Sequence, residues 1–136
     1  MANQAWQIAS PGKLILNDLG PLPIPKPDEV LIRIHAFSLN YRNTLIVDHN
    51  QAYPLVAKPN LISGNDAAGM VEIAGNSSSW KKGDRVIVMP SPWLFGNDVR
   101  DSKVEESLGG GENDGLYRRF FLCDGECLFK APESMN

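Results

Sequence analysis

Between Glu29 and Phe37 the chain alternates strictly. Val30, Ile32 and Ile34 fall on one face and Leu31, Arg33 and His35 on the other, which is the two-residue period of a β-strand. The rhythm changes at Ser38. Ser38 or Asn40 can cap a helix, and Tyr41, Leu45 and Asp48, or Leu39, Asn43 and Val47, then recur at helical spacing, predicting about two turns of helix across one end of a sheet. Upstream, Trp6 to Ala9 and Leu14 to Asn17, broken by Pro11-Gly12, read as a short hairpin. Pro21, Pro23, Pro25 and Pro27 then make an extended connector whose missing N–H groups keep it off a central sheet.

Downstream, Met70 to Ile73 reads as a strand, and Trp80 to Met89 as a turn followed by another. Gly115 to Cys123 forms a closing strand, Asp124-Gly125 a tight turn, and Cys127 to Ala131 one more short strand. The stretch from Pro90 to Asp114 is weakly hydrophobic and contains Gly109-Gly110-Gly111, the pattern of a mobile excursion. Those glycines follow no apolar strand and lack a Gly-Lys-Ser/Thr ending, so a phosphate-binding loop is disfavoured. The predicted fold is mainly β, a small, partly open barrel with one or two short helices.

The polar positions concentrate in one place. Gly64 and Gly69 flank Asn65-Asp66, with small Ala67 and Ala68 behind, so two polar side chains are displayed where a strand begins. An Asx turn capping the strand explains the same residues without chemistry.

Composition narrows the picture. At 136 residues, 43% hydrophobic and 21% charged, the chain is the size of one globular domain with one core. Thirteen basic against sixteen acidic residues give a formal charge of −3 without a basic stripe, which argues against a nucleic-acid partner. The amino terminus carries no basic segment followed by an apolar run, and no stretch approaches the ~20 apolar residues of a membrane span. The expected location is the cytoplasm, away from membranes. Cys123 and Cys127 are too few for a disulfide framework, and His35 and His49 are too distant in sequence to complete a metal site with them, so free or structural thiols are expected.

Several short markers stand in one order: Ser38-Leu39-Asn40-Tyr41-Arg42-Asn43, Tyr53-Pro54, Gly64-Asn65-Asp66-Ala67-Ala68-Gly69-Met70-Val71, Gly83-Asp84-Arg85-Val86, Gly115-Leu116-Tyr117 and Ala131-Pro132. In that order they resemble the GroES-like catalytic domain of the medium-chain dehydrogenase/reductase superfamily. The Asn40-Tyr41-Arg42-Asn43 form is similar to the zinc-independent quinone oxidoreductase and enoyl reductase branch. Zinc-dependent members carry Cys at the position of Asn40 and Gly-His-Glu where this chain has Gly64-Asn65-Asp66; no cysteine occurs from Pro90 to Asp114, where their structural zinc lobe would fall. The resemblance therefore implies no zinc.

It implies a hydride-transfer enzyme that reduces quinones or activated double bonds with NADPH or NADH. Asn40 and Tyr41 are the expected catalytic and nicotinamide-contacting residues, and Asn43, Tyr53, Asn65 and Asp66 the expected substrate-binding ones. Asn43 departs from the Asp more usual in that branch, so it can donate as well as accept a hydrogen bond. Residues 1–136 correspond to the catalytic domain alone. The partners implied are a small carbonyl or quinone substrate and a dinucleotide-binding Rossmann domain, whose Gly-x-Gly-x-x-Gly signature this chain lacks. An apolar face left without that domain predicts self-association into a homo-oligomer. The alternative is a GroES-like interaction module that kept the barrel without the chemistry.

Overall fold

A computed structural model describes residues 2–88 and 104–134. Strands β1 (Gln4–Ser10) and β2 (Lys13–Asp18) form the opening hairpin, turning at Gly12, whose φ of 73° a side chain would resist. Strands β3 (Glu29–Phe37), β4 (Ala67–Ala74), β5 (Arg85–Val88), β6 (Phe120–Asp124) and β7 (Leu128–Lys130) make a second sheet. Its order is β6-β3-β4-β5-β7, with every pairing antiparallel. Two register shifts in the β3–β4 pairing, at Leu31/Ile32 and Ile34/Ala36, bend the sheet into a curled half-barrel.

Val30 and Ile32 point into the main core with Val71, Val86, Val88, Leu116, Phe121 and Leu128. Leu31, expected on the more polar face of β3, is fully buried as well, so this strand is covered on both sides near its start. A separate cluster of Ile8, Ile46 and Leu61 seats α1 (Tyr41–Val47), the one α-helix among the described residues, against the opening hairpin. The helix starts where expected because Asn40 is extended (φ −108°, ψ 151°) and its backbone N–H donates to Asn43 Oδ1 at 2.9 Å.

Two expectations are corrected. The closing strand begins at Phe120 rather than Gly115, because the N–H groups of residues 115, 117 and 119 bond to segments outside the sheet. Gly115 N–H bonds to Ile62 O at 2.6 Å, Tyr117 N–H to Ser63 O at 3.0 Å, and Arg119 N–H to Gln4 O at 2.8 Å. The excursion from Pro90 to Asp114 lies outside the described residues up to position 103, but 104–114 are folded onto the barrel. After a 3-10 turn at Val104–Glu106, Gly109, Gly110 and Gly111 are buried. Packing explains these glycines. A Cβ on Gly109 would stand 2.6 Å from Gly64 O, and one on Gly115 would stand 2.0 Å from the same oxygen.

The turn at Asp124-Gly125 is a 3-10 turn, Gly125–Cys127, capped by Asp124 Oδ1 accepting from Glu126 N–H at 2.9 Å. Trp80, ahead of β5, donates its indole N–H to Gly125 O at 2.8 Å. Trp80→Phe should therefore cost about 1 kcal/mol, the usual net value of one such bond, read as a lowered urea midpoint with unchanged slope. Cys123 and Cys127 are both free thiols, and burial pushes both above the ordinary thiol value. The folded state thus holds these protons more tightly than the unfolded chain does. Stability should fall by about 1.4 kcal/mol per pH unit through Cys123 above the unfolded value near 8.5, with a smaller fall through the half-exposed Cys127, and Cys123→Ser should flatten that limb of a pH-dependent melting series.

Candidate active site

The end of β3, the start of α1 and the approach to β4 meet at a polar cluster. Asn40 Nδ2 donates to Asp66 Oδ2 at 2.5 Å, a short bond strengthened by the carboxylate charge. Asn65 Oδ1 lies 3.5 Å from both Asn40 Nδ2 and Asn43 Nδ2, at the outer limit of hydrogen bonding. Asn40 Oδ1 in turn accepts from Ser38 Oγ at 3.2 Å, and Ser38 N–H donates to Asp66 O at 3.0 Å. The structure thus gathers Asn40, Asn43, Asn65 and Asp66 into one network, with Asn43 buried at its base.

Asp66 and Ser38 open onto a cavity of about 460 Å³ floored by Ala67 and Ala68 and walled by Phe37 and Ile87. Its size and largely apolar lining suit a small planar molecule, and its charged lining residues are Asp66 and Arg85. Tyr41, the first residue of α1, is 78% exposed, and its hydroxyl has no hydrogen-bond partner among the described residues. Tyr53 is not drawn into the Asn40–Asp66 network. Its hydroxyl accepts from Arg42 Nε and Nη2 at 3.1 and 3.0 Å, and the guanidinium lies over its ring.

Two residues that the sequence did not single out hold this arrangement. Arg42 also donates through Nη2 to Ser107 Oγ and to Leu108 O, both at 3.1 Å, fastening α1 to the 104–111 segment. As a lone charge on a short helix it carries the pattern of a solvated residue, so only its place between Tyr41 and Asn43 hinted at a role. Arg42→Met should cost about 2 kcal/mol and speed amide hydrogen exchange around Ser107–Gly109, since several charge-assisted bonds vanish together.

Tyr117 stacks on Phe37 (ring centroids 4.8 Å apart) and donates its hydroxyl to Ser38 O at 3.3 Å. It packs directly over Gly64, where a Cβ would meet its ring at 2.4 Å. Burial raises the Tyr117 pKa, and the Asp66 carboxylate adds to the rise, so the phenol remains a donor at neutral pH. Its signal in the sequence was its position directly after Gly115-Leu116.

Asn40, Asn65 and Asp66 offer two amides and one carboxylate. Zinc sites are built from thiolate, imidazole and carboxylate, so this donor set does not fit that metal. Among the described residues no three His, Cys, Asp or Glu side chains converge to hold a metal ion.

The alcohol dehydrogenase GroES-like domain model matches residues 26–133. The chain belongs to this family. A quinone oxidoreductase of Sus scrofa is 37% identical over 138 residues, covering 99% of this chain and 34% of its own length. A trans-enoyl reductase of Botryotinia fuckeliana is 31% identical over 137 residues, covering 98% and 30%. A zinc-type alcohol dehydrogenase-like protein of Schizosaccharomyces pombe is 30% identical over 111 residues, covering 81% and 31%. Among solved structures, a proposed alcohol dehydrogenase of Sinorhizobium meliloti superposes with a TM-score of 0.81 at 28% identity, over 98% of this chain and 40% of that one. The GroES-like domain thus spans about a third of the length of its curated relatives.

Proposed function

We propose that this chain is the substrate-side catalytic domain of a zinc-independent, NAD(P)H-dependent oxidoreductase that reduces quinones or activated C=C and C=O bonds. The observation that carries this reading is the Asn40–Asp66 network, whose Asp66 lines an apolar cavity, with Tyr41 exposed directly after Asn40 in the chain. The quinone oxidoreductase and enoyl reductase relatives support the reaction class.

A nicotinamide cofactor, bound by a partner Rossmann domain in the full-length enzyme, supplies the hydride. This chain positions the acceptor and handles the charge that develops on its carbonyl oxygen. The Tyr41 hydroxyl donates to that oxygen and delivers the balancing proton. Asn40, with its amide fixed by Asp66 and Ser38, contacts the nicotinamide and the substrate carbonyl. Asn65 and Asp66 line the floor, and Asn43 supports Asn40 from below. Tyr53 acts at the edge of the site by fixing Arg42, and so the helix that carries Asn40 and Tyr41. The proposed setting is the cytoplasm, with neither nucleic acid nor membrane as partner.

The test is a fluorescence titration of NADPH and NADH into this chain and into the longest chain its gene encodes, followed by turnover with p-benzoquinone and an enone. Tight binding by the longer chain, with oxidation of the reduced cofactor, supports the proposal. Failure of both cofactors to bind either chain sinks it and leaves the interaction module as the better account.

A further inference from the structure

A second cavity lies between the opening hairpin and β3, on the other side of Phe37, which lines both. It measures about 270 Å³, and its lining includes Gln4, Trp6, His35, Phe37, Arg118 and Arg119, without any Asp or Glu among the described residues. Its charged lining among the described residues is therefore one-sided: two arginines, with a glutamine and a histidine, border an otherwise apolar pocket. Neither Arg118 nor Arg119 forms a salt bridge among the described residues.

Arg118 is the anomaly. Its Nε is buried without a hydrogen-bond partner among the described residues, and its guanidinium carbon lies 5.9 Å from the centre of the Phe121 ring. The acid that most affects it, Asp114, is already engaged by Lys58 at 3.1 Å and by the Ile62 N–H. Burial lowers the Arg118 pKa, and Asp114 offsets this only in part. A cation withdrawn from water without a carboxylate is costly, and the cost is relieved by an anion that supplies oxygen acceptors.

The aromatic side of the pocket is presented rather than hidden. Trp6 and Phe37 are 42% and 44% exposed although each borders the cavity. Its walls are set by the backbone: Trp6 N–H donates to Tyr117 O at 2.8 Å, Arg119 N–H to Gln4 O at 2.8 Å, and Ile34 N–H to Arg119 O at 2.9 Å. The site is thus preorganised, and its volume suits one ring with a short substituent.

We propose that this cavity binds a small planar aromatic carboxylate, its carboxylate held by Arg118 and Arg119 and its ring against Trp6 and Phe37. Arg is suited to both contacts, because its fork matches a carboxylate and its flat face tolerates aromatic neighbours. The inference does not depend on the oxidoreductase reading, since it requires neither cofactor nor turnover.

The test is two-dimensional NMR of the 136-residue chain titrated with trans-cinnamate, with cinnamyl alcohol and with inorganic phosphate. Cinnamate should shift the Arg118 Nε–H and Trp6 indole N–H resonances, and should bind at least tenfold more tightly than either comparison ligand. Arg118→Met should weaken it at least tenfold. Should that variant unfold, Arg119→Gln on the exposed rim and Trp6→Ala provide the same comparison. Equal binding of cinnamyl alcohol would overturn the anion-binding role, equal binding of phosphate would overturn the aromatic one, and no cinnamate shifts at about 1 mM would overturn the site altogether.

Discussion

Gly115→Ala should remove about 4 kcal/mol of stability, a large part of what a domain of this size possesses. The added methyl would stand 2.0 Å from Gly64 O, 2.6 Å from Ser63 O and 2.8 Å from Gly109 Cα. All three are backbone atoms of segments that are hydrogen-bonded to one another, so none can swing aside as a long side chain would. Gly83→Ala is the control. Gly83 has a positive φ of 93° but nothing within 4 Å of the added carbon, so only the conformational penalty of about 1 kcal/mol applies. Urea unfolding of the two variants separates the effects. A Gly115→Ala midpoint close to that of Gly83→Ala would mean that the 61–64 and 109–115 segments are not packed as described.

In the oxidoreductase proposed above, Tyr41→Phe should lower kcat/KM by about 10² to 10³, the usual worth of a positioned proton donor or oxyanion contact. Stability should stay within about 0.5 kcal/mol, because the side chain is 78% exposed and the lost hydroxyl has no partner among the described residues. These two readouts together distinguish chemistry from packing: a residue that merely covers the barrel end would change stability and leave turnover alone. Unchanged kcat/KM across a panel of quinones and enones would remove Tyr41 from the reaction.

The parts of this fold legible in the sequence are those whose cause is local. Alternation along Glu29–Phe37 and the change of period after Ser38 follow from side-chain spacing, and they became β3 and α1 within a residue or two. Leu31 was misplaced because alternation assigns a face but cannot say what covers it. The run Gly109-Gly110-Gly111 looked like loose chain because glycine carries the same letter whether it is free to move or required by a close approach. Only the packed neighbours Gly64, Tyr53 and Arg42 reveal the second case.

The candidate site follows the same division. Asn40, Asn43, Asn65 and Asp66 came from an ordered set of motifs, and the structure joins them across more than twenty residues of intervening chain. Arg42 and Tyr117 escaped notice because their contacts are set by tertiary packing. Neither a charged side chain on a short helix nor a tyrosine near a strand has a spacing that distinguishes support from solvent exposure.

The sheet order β6-β3-β4-β5-β7 also has a consequence in time. The two strands that close its edges, β6 and β7, both lie within residues 120–130 and are therefore made late, whereas the strands they cover, β3 and β5, come earlier in the chain. As synthesis proceeds at roughly 5–20 residues per second, a nascent chain presents two open strand edges until residues 120–130 arrive. Released early, it would carry those edges into solution and pair with its own copies.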